Sequence, residues 1–155
     1  MSEVDLSDDY ANAKYISNAK SFPEKWQAKS INFRNERASF SNMELDIPYG
    51  PSHREKMDIF YPKKRTTGVF VFIHGGYWRA FDKSSWSHLS LGALDSGFAS
   101  VIPSYRLCPE ATIAQITLGI AQCIIALAQR VSVGPIVLAG HSAGGHLVSR
   151  MLCGD

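Results

Sequence analysis

The sequence predicts an α/β fold built on a mostly parallel sheet. Late in the chain, continuous apolar runs of strand length alternate with helix-length segments, the order expected of β-α-β units. Earlier, two segments alternate apolar and polar residues, as strands at a half-exposed sheet edge do. The scale also fits: 155 residues, 45% hydrophobic and 19% charged, suffice for one ordinary globular domain.

Residues 1–40 are polar and helix-compatible, and read as an N-terminal helical arm laid against a domain spanning 41–155. A short helix is expected over 8–16, and a longer one over 24–37 with Pro23 at its start. Met43-Glu44-Leu45-Asp46-Ile47 and Lys56-Met57-Asp58-Ile59-Phe60-Tyr61 alternate, and each is closed by proline, predicting an antiparallel edge pair. Val69-Phe70-Val71-Phe72-Ile73 is apolar throughout, as a strand covered on both faces should be. A helix over 83–95 with Gly97 as its stop, a strand over 98–102, and a long helix opened by Pro109-Glu110 and running to Arg130 follow. Pro135 to Ala139 is the last apolar strand, and a helix is expected over 143–153.

Composition narrows the function. A net charge of +2, from 16 basic and 14 acidic residues, is too balanced for a nucleic-acid surface or an acidic membrane face. Residues 1–20 carry Glu3, Asp5, Asp8, Asp9, Lys14 and Lys20 and have no apolar centre, unlike a signal peptide. The apolar runs fall short of the roughly 20 residues of a membrane span. No membrane association and a cytoplasmic location are therefore expected. Cys108, Cys123 and Cys153 have no C-x-x-C spacing and read as reduced, mostly buried thiols. The five histidines form no metal-ligand pattern, so neither metal nor cofactor is expected.

Two glycine-rich motifs carry the chemistry. The last apolar strand runs into Gly140-His141-Ser142-Ala143-Gly144, a G-x-S-x-G turn of the kind that raises a serine hydroxyl at a sheet edge. The central strand runs into His74-Gly75-Gly76-Tyr77-Trp78, where paired glycines let backbone N–H groups point into a cavity. Acyl transfer through Ser142 needs such donors where negative charge develops, and Gly75, Gly76 and Ala143 are placed to provide them. Either motif alone is common; both together, each behind an apolar strand and in this order, point to a serine hydrolase of a small acyl substrate. Tyr77, Trp78 and His141 are candidate substrate contacts, with packing favoured for Trp78. His74 reads as a ring bonded to its own loop backbone, His146 as a packing residue, and His53 and His88 as surface residues.

On these motifs the chain resembles the α/β-hydrolases of the hormone-sensitive-lipase-like branch. Within that branch it is similar to the kynurenine formamidase (arylformamidase) group and to related carboxylesterases. The resemblance also uses Tyr105-Arg106-Leu107 before Pro109-Glu110, Gly145-His146 after the serine motif, and Tyr10-Ala11-Asn12, similar to a segment ahead of the core in bacterial members. It implies helices on both faces of the sheet, Ser142 as nucleophile, Gly75, Gly76 and Ala143 around the oxyanion, and hydrolysis of N-formylkynurenine or of simple carboxylesters.

A serine of this type needs an acid and then a histidine later in the chain. After Ser142 the sequence offers Asp155 and His146, and neither suits the role. The triad acid and base are thus absent, and the strand at 135–139 is an exposed apolar edge. The expectation is the N-terminal part of a hydrolase of roughly 250–300 residues, with C-terminal strands and helices missing and little or no activity alone. The alternative is a non-catalytic fragment, or a subunit completed by a partner chain; a homo-oligomer is left open. A nucleotide-binding module is disfavoured, since no G-x-G-x-x-G or P-loop follows any strand.

Overall fold

The strands are β1 (Met43–Pro48), β2 (Lys56–Phe60), β3 (Gly68–Ile73), β4 (Phe98–Pro103) and β5 (Ile136–Gly140). They lie in the order β1-β2-β4-β3-β5 in a computed structural model that describes residues 7–39, 42–131 and 134–153. Asp155 is outside the described residues. β1 pairs antiparallel with β2, and β2 with β4. β3 pairs parallel with β4 on one side and with β5 on the other. The sheet is therefore mixed. Its parallel half is the part whose sequence is continuously apolar, and its antiparallel half is the part that alternates.

The two-residue strand period sorts the core into two layers. Ile59, Val71 and Val101 face one way, with Ile116, Ile120, Cys123, Leu127 and Leu147. Phe60, Phe72 and Ile102 face the other, with Phe33, Trp86 and Leu94. The first layer is covered by α3 (Ile113–Arg130) and α4 (Ala143–Arg150), the second by α1 (Phe22–Ala38) and α2 (Leu91–Asp95). Helices thus cover both faces. β5 forms an edge of the sheet, and Val137 there is 42% exposed.

Several helices differ from expectation. The segment at 8–16 forms only a 3₁₀ turn over Asn12–Tyr15, and a second turn spans Ala19–Ser21. The segment at 83–95 breaks into turns at Lys83–Ser85 and Ser87–Ser90 before the short α2. Its serines and Asp82 compete with the helix for backbone groups; Asp82 Oδ1 accepts from Ser84 N at 2.7 Å. α3 starts at Ile113 rather than at Pro109, because Thr112 and Gln115 form a capping box. By length and composition α3 could cross a membrane, against the expectation that every apolar run is too short. It packs Ile116, Ile120, Cys123 and Leu127 on the sheet, the spacing of a core helix.

α1 is polar, burying only Ser30 and Phe33 of its described side chains, and ionic contacts help hold it. Asp58 on β2 is fully buried, although strand alternation assigns it to the solvent side. It accepts from Arg34 Nη2 of α1 and from Asp46 N at 2.9 Å, and pairs with Lys83 Nζ at 3.0 Å. Arg34 Nε also donates to Ser87 Oγ at 2.8 Å. Ser30 Oγ bonds His88 Nδ1 at 2.8 Å, so His88 is half-buried under α1 and not a surface residue. His53 is exposed.

Replacing Asp58 removes the buried carboxylate that pairs with Arg34 and leaves Lys83 only the exposed Asp46, at 2.8 Å. Asp58→Ala should cost about 3–5 kcal/mol of folding free energy, read as a drop in urea midpoint.

Candidate active site

The serine turn is shaped by close backbone approach. β5 ends at Gly140, paired with Ile73 in register, and His141 N donates to Ile73 O at 3.2 Å. A Cβ on Gly144 would lie 1.9 Å from Ile73 O, and one on Gly140 would lie 2.3 Å from Gly144 O. Both outer glycines of the motif are therefore required by sterics. Between them Ser142 adopts φ 54°, ψ −120°, a strained backbone for a residue with a side chain. Ser142 is exposed and directly precedes α4, whose first residue, Ala143, is buried. Gly144 N donates to His141 O at 2.9 Å and His146 N to Ser142 O at 3.2 Å. Among the described residues no carbonyl takes the Ala143 N–H, one of the free donors of a helix start.

The second glycine loop lies against this turn. A Cβ on Gly75 would lie 3.0 Å from Ser142 Cβ and 2.8 Å from His141 O. Gly76 has φ 111°, and its carbonyl accepts from Arg79 N at 2.9 Å and Ala80 N at 3.0 Å. Tyr77 and Trp78 follow with φ 52° and 56°.

Two buried rings set the direction of the loop peptides. Tyr105 OH donates to His74 O at 2.8 Å, and His74 Nδ1–H donates to Gly75 O at 2.7 Å. In a trans peptide the carbonyl and the following N–H point in opposite directions. Holding these two carbonyls therefore turns the Gly75 and Gly76 N–H groups away from the rings, and among the described residues no acceptor takes them. His74 stacks on Tyr105 at 4.3 Å, and Arg54 Nε donates to Tyr105 O at 2.9 Å. Tyr105 and Arg54 were not singled out as site residues in the sequence; the signal was Tyr105 at the head of the Tyr-Arg-Leu segment.

The bond to Gly75 O places the His74 proton on Nδ1, leaving Nε2 buried with no hydrogen-bond partner among the described residues. Burial lowers the His74 pKa from 6.5 to about 4. His74 is a neutral loop support, as the sequence reading has it.

The remaining candidates separate by position. Trp78 packs on the core and meets His146 edge-on at 5.3 Å; His146 is otherwise exposed, against the expectation that it packs. Tyr77 is 51% exposed. His141 is exposed, and its ring lies 6.3 Å from that of Trp86. Among the described residues no side-chain hydrogen bond reaches Ser142 Oγ, and no group of three His, Cys, Asp or Glu side chains could hold a metal. Cys123 is buried and its thiol pushed up to about 12; Cys108 is half-buried; Cys153 is exposed, against the expectation of burial. The arrangement offers an exposed hydroxyl beside several uncommitted N–H donors, a geometry suited to holding a developing oxyanion.

The depressed His74 pKa makes stability depend on pH. Between 6.5 and about 4 the unfolded chain binds a proton that the folded chain refuses. Stability contributed by neutral His74 is complete above 6.5 and is lost as pH falls toward 4, by about 3 kcal/mol. Urea midpoints across this range should show that slope, and His74→Asn should flatten it.

The BD-FAE family model matches residues 57–153. A kynurenine formamidase of Drosophila melanogaster is 33% identical over 68% of this chain and 37% of that protein. A kynurenine formamidase of Danio rerio is 29% identical over 72% of this chain and 39% of that protein. A crystal structure of a protein from Silicibacter sp. TM1040, provisionally named a thioesterase, is 52% identical. It superposes with a TM-score of 0.92 over 97% of this chain and 56% of that one. Esterase B of Lactobacillus rhamnosis shares the fold, with a TM-score of 0.63 at 24% identity over 83% of this chain and 48% of its own. The chain thus spans well under two thirds of these relatives. With more than half of its length matched, the chain belongs to the BD-FAE family and is an α/β-hydrolase resembling arylformamidases and esterases.

Proposed function

We propose that this chain carries the nucleophile and the oxyanion donors of a serine hydrolase of small esters or aryl formamides. The observation that carries this reading is the packing of Gly75 against Ser142, with the loop carbonyls held from behind by Tyr105 and His74. Ser142 Oγ would add to the substrate carbonyl carbon, and the oxygen that gains charge would be met by N–H groups of Gly75, Gly76 and Ala143. One such donor is typically worth about 10²–10³ in turnover.

Attack also requires transfer of the serine proton, and among the described residues no histidine hydrogen-bonds Ser142 Oγ. The relatives are longer than the span they share with this chain. The base and its acid are assigned to polypeptide beyond that span. The free edge of β5 is a natural place for further strands to pair. Alone, this chain would retain only the catalysis that an oxyanion site and binding give, roughly 10³–10⁴ over water in triad-deleted proteases. Substrates of aryl formamide type are supported by the kynurenine formamidase relatives. The name of the 52%-identical protein supports adding thioesters to the same acyl-transfer reading.

Fluorophosphonate labelling of the full-length protein, with Ser142→Ala as control, tests the nucleophile. Labelling that survives the substitution would exclude it. N-formylkynurenine, p-nitrophenyl acetate and an acyl thioester, assayed side by side, then rank the substrate classes; ester turnover without formamide cleavage excludes the formamidase reading.

Tyr105→Phe removes the hydroxyl that fixes the His74 carbonyl. Turnover should fall about tenfold with KM little changed, for a stability loss of only about 1 kcal/mol. A KM effect alone would contradict a loop-positioning role.

A further inference from the structure

The N-terminal arm reaches the candidate active site at two points. Asn12 Nδ2 donates to Tyr77 OH at 3.0 Å, and Tyr77 OH donates to Tyr10 O at 3.2 Å. Tyr77 is two residues beyond Gly75, the residue that lies against Ser142. Farther along the arm, Trp26 of α1 packs on Trp86 at 4.8 Å, and Trp86 in turn lies 6.3 Å from His141 beside the nucleophile.

The geometry of Tyr77 makes its contact with the arm more than incidental. Its hydroxyl donates once and accepts once, both times to the arm. The part of Tyr77 left for another molecule is its ring, and the residue as a whole is half exposed. Its backbone φ of 52° is costly for a non-glycine residue and persists only where neighbours hold it. Trp78 has such a hold, since its carbonyl accepts from Cys108 N at 2.8 Å. For the Tyr77 side chain, the arm supplies it. The arm itself is mostly exposed between residues 7 and 20, with Tyr10 at 68%, so it is the kind of segment that opens locally at little cost.

We infer that the arm is a strap latched through Tyr77, and that it fixes the Tyr77 ring as an apolar wall of the substrate cleft. Asn12 is a positioning residue that acts through Tyr77. The substrate group that this wall takes is flat and apolar or aromatic, because the hydroxyl is already committed and the face presented is a ring. This inference rests on Ser142 being the nucleophile and adds the side of the cleft on which an aryl group is read.

The test uses the full-length protein and its Asn12→Ala and Tyr77→Phe variants, both of which keep the Tyr77 ring. Hydrogen exchange over 7–16 reads the latch without any activity. Serine labelling rates with a small alkyl fluorophosphonate and an aryl-bearing phosphonate read the wall. Faster exchange in both variants is expected, together with an aryl-to-alkyl selectivity that falls about threefold to tenfold, the effect of one lost hydrogen bond. Unchanged exchange overturns the latch. Faster exchange with equal slowing toward both probes overturns the specificity role and leaves the arm a purely structural element. If the unsubstituted protein labels with neither probe, the nucleophile reading fails and takes the wall with it, while exchange still decides the latch.

Discussion

The site depends on one close crossing, where the first turn of α4 passes the end of β3. Gly144 approaches Ile73 and His74 so closely that a side chain there would overlap their carbonyl oxygens. No side chain can be accommodated without moving one of the two backbones, so the end of β3 and the start of α4 are held in fixed relation. Each carries a chemical element: the glycine loop leaves β3, and Ser142 precedes α4. Their juxtaposition follows from this crossing together with the β3–β5 register. The strain at Ser142, and at Tyr77 and Trp78 opposite, is tolerated because both segments leave strands anchored in the buried core. Strain of about 1–3 kcal/mol per residue is offset by burial of Val69, Val71, Ile73 and Leu147, each worth about 1.5–3 kcal/mol.

A second tier of contacts sets which way the loop peptides face. Close packing alone places Gly75 but leaves its peptide free to flip. The Tyr105 hydroxyl and the His74 ring remove that freedom by holding the carbonyl ends. His74 does so through its Nδ1–H, and burial, which outweighs the pull of this bond toward the charged form, keeps the ring neutral. The buried Nε2 then lacks a partner, a cost of about 1–3 kcal/mol accepted within the same loop.

What was legible in the sequence were features with local causes. The parallel strands showed as unbroken apolar runs, the edge strands as alternation, and the two turns as glycines after strands. Gly140 and Gly144 were visible as a motif, and the structure supplies their steric reason. Less legible were features whose causes lie far apart in the chain. Asp58 looked solvent-facing because alternation cannot foresee a helix arriving with Arg34. His88 looked like a surface residue until α1 covered it with Ser30. The helix expected over 83–95 breaks because Asp82 caps Ser84 locally, while Ser85, Ser87 and Ser90 bond Gln27, Arg34 and Ser100, partners outside the segment. Tyr105 was in view as part of a segment, but its role needed the position of His74.

Acyl transfer asks a protein for two separable things, stabilisation of charge on the carbonyl oxygen and management of the serine proton. On the proposed reading, the first is a backbone property of this chain. It is set by β3, β5, α4 and the rings behind the loop, all of which fold within the described residues. Backbone donors need only the turns to be correct, which is why short motifs in the sequence announce them. The second is a side-chain property and needs an imidazole aimed at Ser142 Oγ with a carboxylate behind it. His74 is excluded by its neutral, buried stack on Tyr105, and His146 lies edge-on to Trp78. His141 precedes Ser142 in the chain, its ring 6.3 Å from that of Trp86 and its Nδ1 against Gly75, and it makes no hydrogen bond to Ser142 Oγ among the described residues. Preorganised donors therefore exist here before any base is in place. On the proposed reading, the half of the chemistry that depends on rigidity lies in the turns around Ser142, and the half that depends on proton transfer needs groups that these turns do not hold.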